Sequence, residues 1–241
     1  MACFVGIDGC RAGWFTVSLF DDQSWELRVF SNVEEIWNRL SHAKLLLIDI
    51  PIGIRDEGPE ERICDVEARK LLGKPRASSI FPPPARPSLN YETCARASEV
   101  NHSLTGRKIS AQTWEISPKI NEVDQFLRTT PEARDKIREI HPEVLFWALN
   151  GRVSMSYNKK RLEGFVERLQ VLRRHFLQCD ELVMDGLTEF PRNQVTKDDI
   201  LDALAAAVTG MHGNGRLVTI PEEPERDSEG LSMEMVFYTQ D

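Results

Sequence analysis

The sequence predicts an α/β fold: a mixed sheet flanked by helices, carrying a helical, proline-rich insertion. Three features lead there. The first thirty residues read as three strands joined by turns. A second continuous apolar run, KLLLIDIPIGI, follows an intervening helix. Several later segments carry apolar residues at helical spacing. A length of 241 residues suits a single domain over 1–241, with 56–130 as an insertion or cap within it.

The elements follow in order. CFVGID is apolar and rich in strand formers, and the turn GCRAG separates it from WFTVSLF. The turn signal DDQ then precedes SWELRVF, so the start of the sheet pairs antiparallel. In NVEEIWNRL, Ser31 or Asn32 can cap a helix whose Val33, Ile36, Trp37 and Leu40 keep helical spacing. KLLLIDIPIGI reads as a fully buried strand, parallel to the first. ICDVEARKLLG is helical, with Gly73 as its stop. KPRASSIFPPPARPS holds five of the thirteen prolines and fits neither helix nor central strand. Residues 91–130 read as helical pieces broken at GRKIS and SPK. DKIREI is a short strand, and HPEVLFWALNG is a helix with Pro142 in its first turn. In LEGFVERLQVLRRHF the spacing of Leu162, Phe165, Leu169, Leu172 and Phe176 predicts one buried face. TKDDILDALAAAVTGMH is the last helix, with Thr196 and Asp199 spaced as a capping box. MVFY near the end suits an edge strand.

Composition excludes several roles. Hydrophobic residues make up 41% and charged residues 28%, as in ordinary globular proteins. No apolar stretch is long enough to span a membrane. Asp8 interrupts the N-terminal apolar run, so that run is not read as a secretory signal. Five scattered cysteines without a CxxC pair indicate neither a zinc site nor a disulfide framework, and a reduced, cytoplasmic protein is expected. The net charge of −8 argues against a non-specific polyanion-coating role. Basic residues are nonetheless concentrated in 69–108 and 152–174, which fits either solvated helix faces or a local phosphate-binding lining.

The candidate chemistry lies in carboxylates. Asp8 ends an apolar strand, and Asp49 repeats that feature at the end of LLLIDIP. Each alone also fits a loop-capping turn. Side by side on parallel strands they would repel, and a divalent cation would remove the penalty. Asp199 and Asp202 share a face of the last helix, whose alanine run suits close packing on a sheet. Strand end, strand end and helix start thus offer hard oxygen ligands for Mg²⁺ or Mn²⁺. Such ions can activate water and stabilise the leaving oxygen in phosphodiester cleavage.

An aspartate on the first of three strands, an acid ending the fourth, and D-x-x-D-A on a late helix resemble the ribonuclease H-like superfamily, the helix being closest to Holliday-junction resolvases. More narrowly, GIDGCRAGW, IDIPIGI, CDVEARKLLG, SSIFPPPAR, KISAQTWEISPKINEVD, IHPEVLFWALNG and KDDILDALAAA resemble domain of unknown function family 429, described as predicted nucleases of that fold. The resemblance implies a metal-dependent nuclease acting on DNA or RNA. Asp8, Asp49, Asp199 and Asp202 would then be catalytic metal ligands. The second acid is aspartate here, where the resolvases usually have glutamate. Glu143, in the HPEV motif, is a further candidate, or simply a first-turn helix acid. His141 is a candidate general acid or base. Arg11, Lys159 and Lys160 are candidate phosphate contacts. Lys119, with Gln112, Trp114 and Glu122, fits either substrate contact or packing of the insertion. Two other readings stand beside this one. An actin-like ATP-dependent phosphotransferase shares the sheet, but such kinases need two cores where this chain shows one. A catalytically silent module binding nucleotide, nucleic acid or protein is the other. The oligomeric state is left open.

Overall fold

The structure, a computed structural model, describes residues 1–214 and 216–239. In chain order it begins with β1 (Cys3–Cys10), β2 (Gly13–Phe20), β3 (Trp25–Phe30), α1 (Val33–Leu40) and β4 (Leu45–Ile48). Then come α2 (Ile63–Leu72), α3 (Cys94–Thr105), α4 (Ala111–Thr129), β5 (Ile137–Glu139) and α5 (Pro142–Leu149). The chain continues with α6 (Leu162–Arg173), α7 (Cys179–Glu189), α8 (Lys197–His212), β6 (Val218–Arg226) and β7 (Ser232–Phe237). Two compact units result: Met1–Asp49 with Asp135–Val218 and the described residues from Val236, and Ile50–Arg134 with Thr219–Met235. Among the described residues no helix is long and apolar enough to cross a membrane.

The first unit is built on a mixed five-stranded sheet of order β3-β2-β1-β4-β5. The meander β1–β2–β3 is antiparallel, while β4 runs parallel to β1 and β5 parallel to β4. The helix after the meander starts where its residues demand: Asn32 accepts the Glu35 amide at 2.9 Å, and Val33, Ile36 and Leu40 are buried. The buried strand is shorter than expected. It ends at Ile48, so Asp49 stands just past its end and IPIGI leaves the sheet.

Helix α8 is the centre of this unit. Residues Ile200–Gly210 are all buried, because the helix packs on β1, β2 and β4 and meets α5, α6 and α7. Its approach to β1 is set by Gly6. A Cβ there would lie 1.9 Å from the carbonyl oxygen of Ala203 and 2.8 Å from the Ala206 Cβ. A residue without a side chain on the strand thus meets the alanine face of the helix, and the two backbones touch.

Two helices correct the sequence reading. The expected face of α6 is only partly the buried one: Leu172 and Phe176 are buried and Phe165 and Leu169 half-buried, but Leu162 is 70% exposed, and Gly164, Arg168 and Val171 are buried instead. Arg168 goes inside because it has an ion-pair partner there, which apolar periodicity does not register. Helix α7 has no counterpart in that reading, although Cys179, Leu182, Val183 and Gly186 keep helical spacing. Cysteine and glycine are weak helix formers and mask the pattern.

The second unit holds α2, α3, α4 and most of the two-stranded sheet β6–β7. The proline-rich stretch folds as two 3₁₀ turns, Arg76–Ser79 and Arg86–Asn90. Helix α4 runs unbroken through SPK with Pro118 inside it. A proline there forfeits one helical hydrogen bond, and burial of Ile120, Val123 and Leu127 along the same helix offsets the loss. The sequence reading also omits β6, since Pro221 and Pro224 argue against a central strand. In a two-stranded sheet both strands are edges and prolines are tolerated. Buried Arg86 organises this unit, bonding to Asp124, to Asp56 at 2.9 Å and to fully buried Asp227. Arg62 and Asp65 form a second buried pair at 2.6 Å, and Arg62 also donates to the Ile52 carbonyl.

Replacing Gly6 with alanine should therefore force α8 off the sheet. The expected loss is about 3 kcal/mol or more of unfolding free energy, read by urea denaturation. An unchanged midpoint would contradict the close contact.

Candidate active site

Strands β1, β4 and β5 are parallel neighbours, so their C-terminal ends share one edge of the sheet. Ile7 pairs with Ile48, and the Asp49 amide donates to the Ile7 carbonyl at 3.0 Å. Asp8 and Asp49 are thus consecutive steps on adjacent strands, whose backbones lie about 5 Å apart. The alternation of side chains fixes their direction. Gly6 faces α8, so Asp8, two residues on, faces α8 as well. Leu47 pairs with Gly6 and touches α8 near Gly210, so Asp49 shares that face.

From the other side, α8 brings its first turns. Thr196 and Asp199 form the expected capping box: both carboxylate oxygens of Asp199 accept from Thr196, from its amide and from its hydroxyl, each at 2.8 Å. Asp199 therefore fixes the start of the helix. Asp202, one turn on, is buried. Its Oδ2 accepts from the Lys159 ammonium at 2.6 Å, and its Oδ1 is buried without a partner.

Lys159 comes from the loop between α5 and α6, and that loop is pinned by α6. The Glu167 carboxylate accepts the Ser156 and Tyr157 amides at 2.7 and 3.0 Å. Arg168 donates to the Tyr157 carbonyl at 3.1 Å, and Gly164 lets the helix lie directly against the Asn158 carbonyl. Arg168 also pairs with buried Glu143 at 2.5 Å.

The electrostatics follow from this crowding. Burial, and then the charges of Asp49, Asp202 and Asp199, hold the Asp8 carboxyl well above the ordinary range, opposed by Lys159. Burial pushes Asp49 up to about 7; Lys159 opposes the rise, while Asp202, Glu139 and Glu143 add to it. Burial likewise raises Asp198 and Asp199. Lys159 is raised, chiefly by Asp202 and also by Asp8 and Asp49, so it stays charged. Among the described residues no hydrogen bond or ion pair reaches the carboxylates of Asp8 and Asp49.

The remaining candidates are placed as follows. His141 caps α5, its Nδ1 accepting the Glu143 amide at 3.2 Å. Arg11 is exposed in the turn after β1. Lys160 is exposed beside Lys159. Lys119 lies on α4 in the second unit, half-buried. The serines before FPPPAR are engaged in their own turn: Ser78 donates to the Pro75 carbonyl and Ser79 to that of Arg76. Two contributors escaped the sequence reading. Glu139 is an acid at the end of a third parallel strand, the same signal that marks Asp8 and Asp49. Arg168 had none, because its partner Glu143 lies 25 residues away.

The donor set suits a hard divalent cation. It consists of carboxylate oxygens, one of them buried and unpartnered on Asp202, beside buried Asp8 and half-buried Asp49. Among the described residues no three His, Cys, Asp or Glu side chains are already gathered in a group that could hold a metal ion, and the cation seated there is the Lys159 ammonium.

The model of the family described as Protein of unknown function (DUF429) matches residues 6–226 of the chain. No curated protein and no solved structure matches it.

Two outcomes are expected. The folded chain keeps a proton on Asp49 between about pH 4 and 7 that the unfolded chain releases, so this group lowers stability as pH rises through that window. In metal-free buffer Asp49→Asn should therefore raise the melting temperature at pH 8 and change it little at pH 4; a lower melting temperature at pH 8 would contradict the crowding. Removing the positive partner of Glu143 with Arg168→Met should cost about 3–5 kcal/mol, and adding Glu143→Leu should recover most of it. Denaturation of the three variants decides whether the pair acts as a unit.

Proposed function

Because the chain belongs to the DUF429 family, whose description names no activity, its role is read from the site, and we propose a metal-dependent nuclease of ribonuclease H-like architecture that hydrolyses a nucleic-acid phosphodiester. One observation carries this reading. Buried Asp8 and half-buried Asp49, reached by no hydrogen bond to their carboxylates among the described residues, stand side by side at the ends of adjacent parallel strands, facing Asp202 on a helix packed hard against them. Nothing in stability explains such a cluster, since burying like charges together costs free energy. The order of the sheet, three antiparallel strands followed by parallel ones, agrees with the proposed architecture.

Each residue then has a task. Asp8, Asp49 and Asp202 would hold Mg²⁺ or Mn²⁺. The bound cation would activate the attacking water and stabilise charge on the phosphate and leaving oxygen. Asp199 fixes the first turn of α8 and so the position of Asp202. Arg168 and Glu143 set the loop that delivers Lys159. Arg11 and Lys160, both exposed, would meet phosphate oxygens. His141, with its Nδ1 occupied in the cap of α5, orients the Glu143 segment. With a net charge of −8, affinity for nucleic acid would rest on such local contacts and weaken steeply with salt.

The test is incubation of the purified chain with single-stranded, duplex and branched DNA and RNA in Mg²⁺, Mn²⁺ or EDTA. Cleavage with metal is expected, absent in EDTA and reduced about 1,000-fold or more in Asp8→Asn. Failure to cut any substrate with either ion, or full activity of Asp8→Asn, would rule the proposal out.

A further inference from the structure

The cation seated in the pocket is part of the chain itself. Lys159 donates to Asp202 at 2.6 Å, and its charge also acts on Asp8 and Asp49. Its position is built. The Glu167 carboxylate binds the two amides at Ser156 and Tyr157, and Arg168 binds the Tyr157 carbonyl. The Asn158 side chain accepts the Lys160 amide at 2.9 Å, and its carbonyl accepts the Arg161 amide at 3.0 Å. A Cβ at Gly164 would lie 2.1 Å from the Asn158 carbonyl oxygen, so α6 presses directly on the backbone that carries Lys159. Bonds on both sides of the residue distinguish it from a mobile surface lysine.

Charge then sets the capacity of the pocket. Asp199 is engaged by Thr196 and Glu143 by Arg168; once a bound cation has displaced their protons, Asp8, Asp49 and Asp202 would carry three negative charges against the one positive charge of Lys159. The two left over match a single divalent cation, and the oxygens left for it are those of Asp8 and Asp49 together with the unpartnered Oδ1 of Asp202. A second divalent ion would place two net positive charges in the pocket and compete with the ammonium for Asp202. We infer that Lys159 takes the place of a second metal, so that this site binds one divalent cation and the lysine supplies the other positive charge beside the scissile phosphate. The inference rests on the metal-site reading above. It makes Lys159 a specificity-determining residue that fixes metal number.

Counting bound metal tests it without any substrate. The metal-stripped full chain is titrated with Mn²⁺ alone, with stoichiometry from isothermal calorimetry and free Mn²⁺ from its paramagnetic resonance signal. Wild type should take up one Mn²⁺ per chain, Lys159→Arg also one, and Lys159→Met two. Lys159→Gln replaces Lys159→Met if the latter does not fold. Two ions on the wild-type chain, or one on both neutral variants, would overturn the inference and leave the metal site standing. Absence of Mn²⁺ binding in every protein would remove the metal site and the inference together.

Discussion

The contact on which the rest depends is that between a strand and a helix with nothing between them. At Gly6 the backbone of β1 touches α8 at Ala203 and Ala206. A side chain at that point would clash with the helix backbone and push α8 outward. The first turns of α8 would then no longer face the strand ends, and Asp202 could not sense Asp8. The small residues that make α8 a good core helix are thus also the ones that make the acidic pocket possible. Packing and site geometry are one constraint.

That pocket opposes the stability of the unit that houses it. Burial and then neighbouring carboxylates raise the proton affinity of Asp8 and Asp49, and the folded chain tolerates them only with protons, with Lys159 or with an added cation. Proteins retain such arrangements where chemistry needs them. The surrounding design limits the damage. Asp199 is neutralised in part by the helix start it caps, Glu143 by Arg168, and Asp202 by Lys159. What remains uncompensated is narrowed to Asp8 and Asp49, the two positions that the sheet itself brings together.

Several prominent sequence motifs prove to be framework. Asp65 of CDVEAR is paired with Arg62, and Arg86 of FPPPAR gathers Asp56, Asp124 and Asp227. Asn101 accepts the Ala85 amide at 2.8 Å and donates to the Arg107 carbonyl at 2.7 Å. A stiff, proline-rich segment has few internal hydrogen bonds of its own. Buried arginines and an asparagine supply them, and this ties the 3₁₀ turns to the helices of the second unit.

Periodicity and turn chemistry by themselves determined the meander, the buried parallel strand, the capped helices and the pairing of Asp8 with Asp49, because those features depend on residues close in sequence or on the apolar character of one strand. The capping box at Thr196 and Asp199 was legible for the same reason. The rest required the tertiary structure. Arg168 turns the buried face of α6 away from Leu162 because its partner arrives from α5, and Pro118 stays inside α4 because burial outweighs one lost bond. Lys159 reads in the sequence as a surface phosphate contact, yet it becomes the pocket's own cation because α6 holds its loop over Asp202. Local sequence specifies elements through short-range sterics and hydrogen bonds. Which charges end up facing one another is decided by contacts between segments far apart in the chain.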